Sequence, residues 1–221
     1  MKNINIAIDG PAGAGKSSIS KEVAKKLGLV YVDTGAMYRA CAVYAIENGI
    51  KICDEEITPH LDEINIDLSY DEDGQHIYLN GKDVSQRIRQ QDATIGSSKI
   101  AVIPSVRLKL VELQRKIANN KSVIMDGRDI GTYVLPNADL KIYLTASVKE
   151  RARRRYEEMK LKNMLCDINE VERDIEFRDK NDSNREFAPL RQADDTILID
   201  SSDMGFSEVC EKILELINKL L

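Results

Sequence analysis

Eight residues near the start of the chain have the types and spacing to hold a chain of phosphates. Positions 10–17 read Gly10, Pro11, Ala12, Gly13, Ala14, Gly15, Lys16, Ser17, matching G-x-x-x-x-G-K-[ST]. Glycines in such a turn let successive backbone N–H groups point inward at one anion. A helix that starts there adds its positive end. Lys16 would then reach the β- and γ-phosphates of a nucleotide such as ATP, and the Ser17 hydroxyl would meet Mg²⁺. Ser18 joins the same nucleotide-binding set. A strand precedes the loop and a helix follows it, which a chance glycine-rich turn does not require. The loop specifies a bound nucleotide but not a reaction, because switches and motors carry it too.

Other charged residues could act on phosphates if the fold gathers them. Transfer of a phosphoryl group between two nucleotides crowds negative charge, so cations and positioning do nearly all the work. Thr34 and Arg39 flank a helix start, where an anion would find N–H groups, a hydroxyl and a guanidinium; a capping threonine and a surface arginine are the plain alternative. Arg128 and Asp129 follow the end of a strand, the edge where open α/β sheets bind ligands; they could equally form a loop ion pair. Asp126 ends that strand and could act on Mg²⁺ through water, or simply close the strand. Arg178, Asp182 and Arg185, spaced by four and three, share one helical face. That spacing also suits an intrahelical ion-pair ladder. Arg151, Arg154 and Arg155 share a face too, as a lid's arginines or as a solvated basic surface.

These residues need a scaffold, and the pattern supplies one. Asn3–Asp9 reads as a buried strand, Ser17–Leu27 as a helix stopped by Gly28, and Leu29–Val32 as a second strand. Helix follows over Gly35–Glu47. Ile64–Tyr70 and His76–Leu79 read as a hairpin turning at Asp73-Gly74. Helices are expected at Gln91–Ile103 and Pro104–Asn119, strands at Ser122–Met125 and Leu140–Leu144, and charged helices at Val148–Leu165 and Asn169–Asn181. A strand at Thr196–Ile199 and an amphipathic helix at Ser207–Leu221 close the chain. The alternation predicts an α/β fold with a central parallel sheet covered on both faces. Residues 61–90 read as a small antiparallel insert. Residues 1–60, 91–147 and 186–221 form the core, and 148–185 make lid-like helices.

Composition narrows the function. The 221 residues suit one domain with an insertion, and no run approaches the 18 apolar residues of a membrane span. The start of the chain lacks the pattern of a signal peptide. A net charge of −5, three Phe and no Trp disfavour nucleic acid as a partner. Cys41, Cys53, Cys166 and Cys210 form no CxxC pair, and with only His60 and His76 beside them a zinc site is not expected. Reduced thiols in a cytoplasmic protein fit best. From Lys149 to Arg191, 12 Lys/Arg face 11 Asp/Glu, so that stretch is a solvated surface or a lid.

Three further segments narrow the family. VDTGAMYR at 32–39, MDGRDIGT at 125–132 and FRDKNDSNREFAPL at 177–190 accompany GPAGAGKS. Together they resemble the bacterial cytidylate kinases over essentially the whole chain. The resemblance implies an adenylate-kinase-like P-loop fold, ATP as donor, CMP or dCMP as acceptor, Mg²⁺ as cofactor and a monomer. It assigns Thr34 and Arg39 to the acceptor phosphate, and Ser98, Arg107 and Asp129 to the cytosine. Arg178 and Asp182 go to the sugar, and Arg128 and Arg185 to phosphate. With Lys16 these last two, together with Arg154 and Arg155 as lid candidates, form the catalytic set. UMP or AMP is the competing acceptor on the same fold. A nucleotide-driven switch would need a guanine-reading NKxD, and NKLL at the end of the chain has Leu221 where the Asp belongs.

Overall fold

An Ile-rich run forms the first strand: β1 spans Asn5–Asp9, with Ile6, Ala7 and Ile8 wholly buried, as a strand covered on both faces requires. The computed structural model describes residues 3–71, 74–161 and 164–220. After β1 come α1 (Lys16–Leu27), β2 (Val30–Asp33), α2 (Thr34–Glu47) and the single turn α3 (Asp54–Ile57). A 3₁₀ stretch at Thr58–Glu63 leads to β3 (Ile66–Asp71), β4 (Gly74–Leu79) and β5 (Lys82–Asp83). Then follow α4 (Gln91–Ile100), α5 (Pro104–Asn120), β6 (Val123–Gly127) and a π-type turn at Ile130–Val134. The chain continues through β7 (Leu140–Thr145), α6 (Val148–Leu161), α7 (Ile168–Asn184), β8 (Ile197–Asp200) and α8 (Phe206–Asn218).

The chain divides into two units, Val30–Val123 with the residues before Ile4, and Ile4–Leu29 with Ile124–Leu221. In the second unit the strand order is β6-β1-β7-β8. β1 and β7 run parallel from Ile6 opposite Leu140 to Asp9 opposite Tyr143, and β7 and β8 run parallel from Ile142 opposite Ile197. Neighbours distant in sequence require crossover connections, and the helices supply them. α8 buries Val209, Cys210, Ile213 and Ile217 and packs on α1. α6 and α7 meet through Ala152, Val171 and Ile175. The loop at 10–15 and the turn at 128–129 both leave the carboxyl ends of their strands, β1 and β6. That is the edge where such sheets bind ligands.

In the first unit β3, β4 and β5 form a small antiparallel sheet in that order. α4 lies close on α2 because Gly96 has no Cβ; one built there would sit 2.9 Å from the Ala42 Cβ. The expected class is therefore present: α/β, a parallel sheet flanked by helices, and a separate small antiparallel sheet. Among the described residues no helix is long and apolar enough to cross a membrane.

Several boundaries differ from the sequence reading for local reasons. α4 ends at Ile100 rather than Ile103, because Pro104 forces Ile103 into an extended conformation (ψ 115°). α7 starts at Ile168, capped by Asp167, and runs to Asn184. α6 stops at Leu161. The third strand β5, α3 and the π-type turn had no periodic signature to find. The expected turn at Asp73-Gly74 lies partly outside the described residues, and Gly74 begins β4.

Gly10 marks the tightest point between loop and sheet. Its φ of 148° suits glycine, and a Cβ would fall 2.0 Å from the Leu144 carbonyl oxygen. Gly10→Ala must move the backbone, so a thermal melt should show a midpoint lowered by about 6 °C or more. An unchanged midpoint would refute this close approach.

Candidate active site

The second unit builds the phosphate cradle. β1 delivers Asp9 and the glycine turn, and α1 begins at Lys16. Lys16 is almost wholly buried, and its Nζ donates to the Pro11 carbonyl at 2.8 Å. Removal from water drives its pKa down, and the like charge of Arg128 adds to this, against the pull of Asp126, Asp9 and Asp182. A poorly solvated cation is what an incoming phosphate can best compensate. Ser17 Oγ donates to Asp126 Oδ2 at 2.8 Å. A hydroxyl and a buried carboxylate are hard oxygen donors, the chemistry that suits Mg²⁺.

Several guanidinium groups lie in the same unit as this loop, and Arg128 acts on Lys16. Arg128 Nε donates to Asp182 Oδ2 at 2.7 Å. Arg185 lies 3.1 Å from Asp129 Oδ1, both side chains being nearly inaccessible. Arg185 Nε also donates to the carbonyl of Ala188, a residue held at a left-handed φ of 49°. Burial lowers the pKa of Arg178, and the charges of Arg155 and Arg128 push it further down, against Asp174 and Asp182. Three guanidinium groups and Lys16 thus act on one another within one unit. Such crowding of cations fits an anion with several charges.

Two residues grip the loop directly. Arg151 donates to the Ala12 carbonyl at 2.8 Å, lies 2.7 Å from Asp179 Oδ2, and donates through Nε to the Ala146 carbonyl. The Ala12 N–H donates to Asp179 Oδ1 at 3.3 Å. Of the three arginines sharing a face of α6, Arg151 is the one against the loop. Arg154 binds Glu150 and the Ser201 carbonyl, tying α6 to the end of β8. Arg155 pairs with Glu158 on the exposed side. Asp179 was not foreseen, since nothing in its charge-balanced helix singles it out. Asp9 was also missed, although a carboxylate ending an Ile-rich strand was a signal.

In the first unit, Asp33 rather than Thr34 caps α2, accepting from the Ala36 N–H at 2.9 Å. Arg39 donates to the same carboxylate at 2.8 Å, and Thr34 is buried at the first turn. Gly35 leaves room for that guanidinium, 3.1 Å from where a Cβ would lie. Arg107 is buried on α5, donates to the Ala101 carbonyl at 3.0 Å and lies over the Tyr38 ring. Ser98 is exposed on α4. Ser98 and Arg107 share this unit with Thr34 and Arg39, while Asp129, Arg128, Arg178, Asp182 and Arg185 belong to the other.

A strand, glycine loop and helix around a buried lysine, with a hydroxyl–carboxylate pair and gathered guanidinium groups, define a P-loop phosphotransferase. Solved structures share the fold. One from Eubacterium ventriosum is 14% identical with a TM-score of 0.54, covering 98% of this chain and 99% of that one. A gluconokinase from Sinorhizobium meliloti is 11% identical with a TM-score of 0.50, covering 98% and 93%. The family model for cytidylate kinase matches residues 6–219. Cytidylate kinase of Caldicellulosiruptor bescii is 49% identical over 222 residues, covering 100% of this chain and 98% of its own. That of Lactobacillus johnsonii is 48% identical, covering 98% and 94%. The chain belongs to the cytidylate kinase family.

Burial of Lys16 has a consequence for stability. A lysine whose folded pKa is lowered contributes fully above its ordinary pKa, and that contribution is lost as pH falls through the lowered value. Near pH 7 the buried ammonium therefore opposes folding. Lys16→Met should melt no lower than wild type at pH 7, with any advantage shrinking towards pH 10, while turnover falls about a hundredfold or more. Joint loss of stability and activity in calorimetry and turnover assays would make Lys16 structural instead.

Proposed function

We infer that the protein transfers the γ-phosphoryl group of ATP to CMP or dCMP, giving ADP and CDP or dCDP. One observation carries the reading in this chain: a desolvated Lys16 behind a glycine loop, with Arg128, Arg178 and Arg185 gathered in the same unit. Membership of the cytidylate kinase family supplies the acceptor.

An oxygen of the acceptor phosphate attacks the γ-phosphorus. The bond to the β–γ bridging oxygen breaks, and ADP leaves with its electron pair. The protein's part is to hold, orient and neutralise. Residues 10–18 embrace the donor phosphates, with Lys16 on the β- and γ-groups. Mg²⁺ would be held by Ser17 and, through water, by Asp126, and when bound it neutralises charge on the donor phosphates. Thr34 and Arg39 take the acceptor phosphate, and Arg128 and Arg185 steady phosphate during transfer. Arg178 and Asp182 take the sugar. Ser98 and Arg107 serve the acceptor groups of cytosine, and Asp129 accepts a hydrogen bond from its amino group. Of the lid arginines, Arg155 can exchange its exposed partner Glu158 for phosphate with little loss, whereas Arg154 would have to release Ser201. The family suggests that the chain works as a monomer. Its free thiols suit the reducing cytoplasm.

The test is ADP release coupled to a visible reaction, with CMP, dCMP, UMP and AMP in turn. CMP and dCMP should be phosphorylated efficiently. UMP should be at least about tenfold poorer in kcat/KM, since a carbonyl replaces the amino group facing Asp129. Asp129→Asn should narrow that gap. Equal efficiency with UMP or AMP would remove the three-residue base reader.

A further inference from the structure

Asp9 ends β1 immediately before the glycine loop, and the scheme above gives it no role. Its side chain is buried, yet both carboxylate oxygens are engaged: Oδ1 accepts from the Ile130 N–H at 2.8 Å and Oδ2 from the Gly131 N–H at 2.7 Å. Those are the first two N–H groups of the π-type turn at Ile130–Val134. The first N–H groups of any helical turn lack partners within it, and the residue just before the turn is the usual side-chain acceptor. That residue is Asp129, the right type for the task. Its side chain caps nothing here and lies against Arg185 instead.

We infer that Asp9 is a positioning residue for the acceptor side: it caps the 130–134 turn in place of Asp129 and so leaves the Asp129 carboxylate to Arg185 and the substrate. The inference rests on the reading that Asp129 meets the cytosine.

The surroundings support the assignment. Gly131 passes so close that a Cβ would lie 3.4 Å from Asp9 Oδ2 and 3.1 Å from the Lys141 stem. The turn is therefore fixed against β1 and β7 at once. Burial is the main influence on the Asp9 carboxyl and raises its pKa to about 6. The two N–H bonds hold it down, the charge of Asp129 raises it, and Lys16 lowers it. From β7, Tyr143 faces Asp9 across the parallel pair, and Lys141 directs its ammonium away to Asp195. A carboxylate kept in so costly a place, bonded at both oxygens to one short turn, serves that turn's placement.

Asp9→Asn keeps the shape but replaces one acceptor with a donor facing an N–H. Asp129 should then swing to the vacant cap. KM for CMP should rise about tenfold or more with KM for ATP within twofold, and the preference for CMP over UMP should shrink at least fivefold. In an Asp129→Asn background the same change should leave the remaining preference unaltered, because one residue acts through the other. An unaltered preference in Asp9→Asn, with a reduced one in Asp129→Asn, would overturn the role of Asp9 alone. No effect of Asp129→Asn would overturn the base reading and this inference with it. Should Asp9→Asn fail to fold, amide exchange in wild type and in Asp129→Asn decides. Ile130 and Gly131 should be protected in both proteins, whereas loss of their protection in Asp129→Asn would make Asp129 the cap.

Discussion

Charge taken out of water is the constraint that shapes this molecule. Lys16 sits almost wholly buried on a backbone carbonyl, beside Arg128 and within reach of three carboxylates. Arginine and aspartate then alternate around it: Arg128 with Asp182, Arg185 with Asp129, Arg151 with Asp179. Buried pairs of this kind add little net stability, because desolvation offsets most of their attraction. On the proposed function, their use is to keep cations aimed at the place where phosphates would lie, so that little reorganisation remains when nucleotides arrive.

The fold makes that arrangement possible at the carboxyl ends of β1 and β6. Gly10 lets the loop leave β1 against the backbone of Leu144, where any side chain would collide. Arg151 and Asp179, from α6 and α7, hold Ala12 by its carbonyl and its N–H. The helices that read as lid elements therefore touch the loop itself. A movement of α6 and α7 on nucleotide binding would have to break or stretch these contacts, so the loop and the helices respond together.

Much of this was legible in the sequence because it is local. The loop motif is eight consecutive residues, and its chemistry requires a strand before and a helix after, both present. Arg178 and Asp182 were legible as one face of α7, whereas Arg185 falls just past its end as the C-cap, with an extended ψ of 140°. Their partners were not, since Arg128 pairs with Asp182 across 54 positions and Asp129 with Arg185 from a similarly distant part of the chain, where spacing alone suggested a ladder within the helix. The cap of α2 fell to Asp33 rather than Thr34 by a single residue, below the resolution of pattern reading. The two-residue strand β5 and the π-type turn left no periodicity. Asp179 was lost among balanced charges whose meaning depends on which face of α7 meets the loop.

If phosphate anions supply what the buried cations lack, stability should follow the number of phosphates offered. The direct measurement is the melting temperature with adenosine, AMP, ADP and ATP, each at the same fixed concentration and at one ionic strength. The midpoint should rise along that series, adenosine giving almost nothing and ATP at a hundredfold excess over its Kd adding about 5–10 °C. A shift from adenosine as large as that from ATP would contradict the account, because recognition would then lie in the base and not in the buried charge around Lys16.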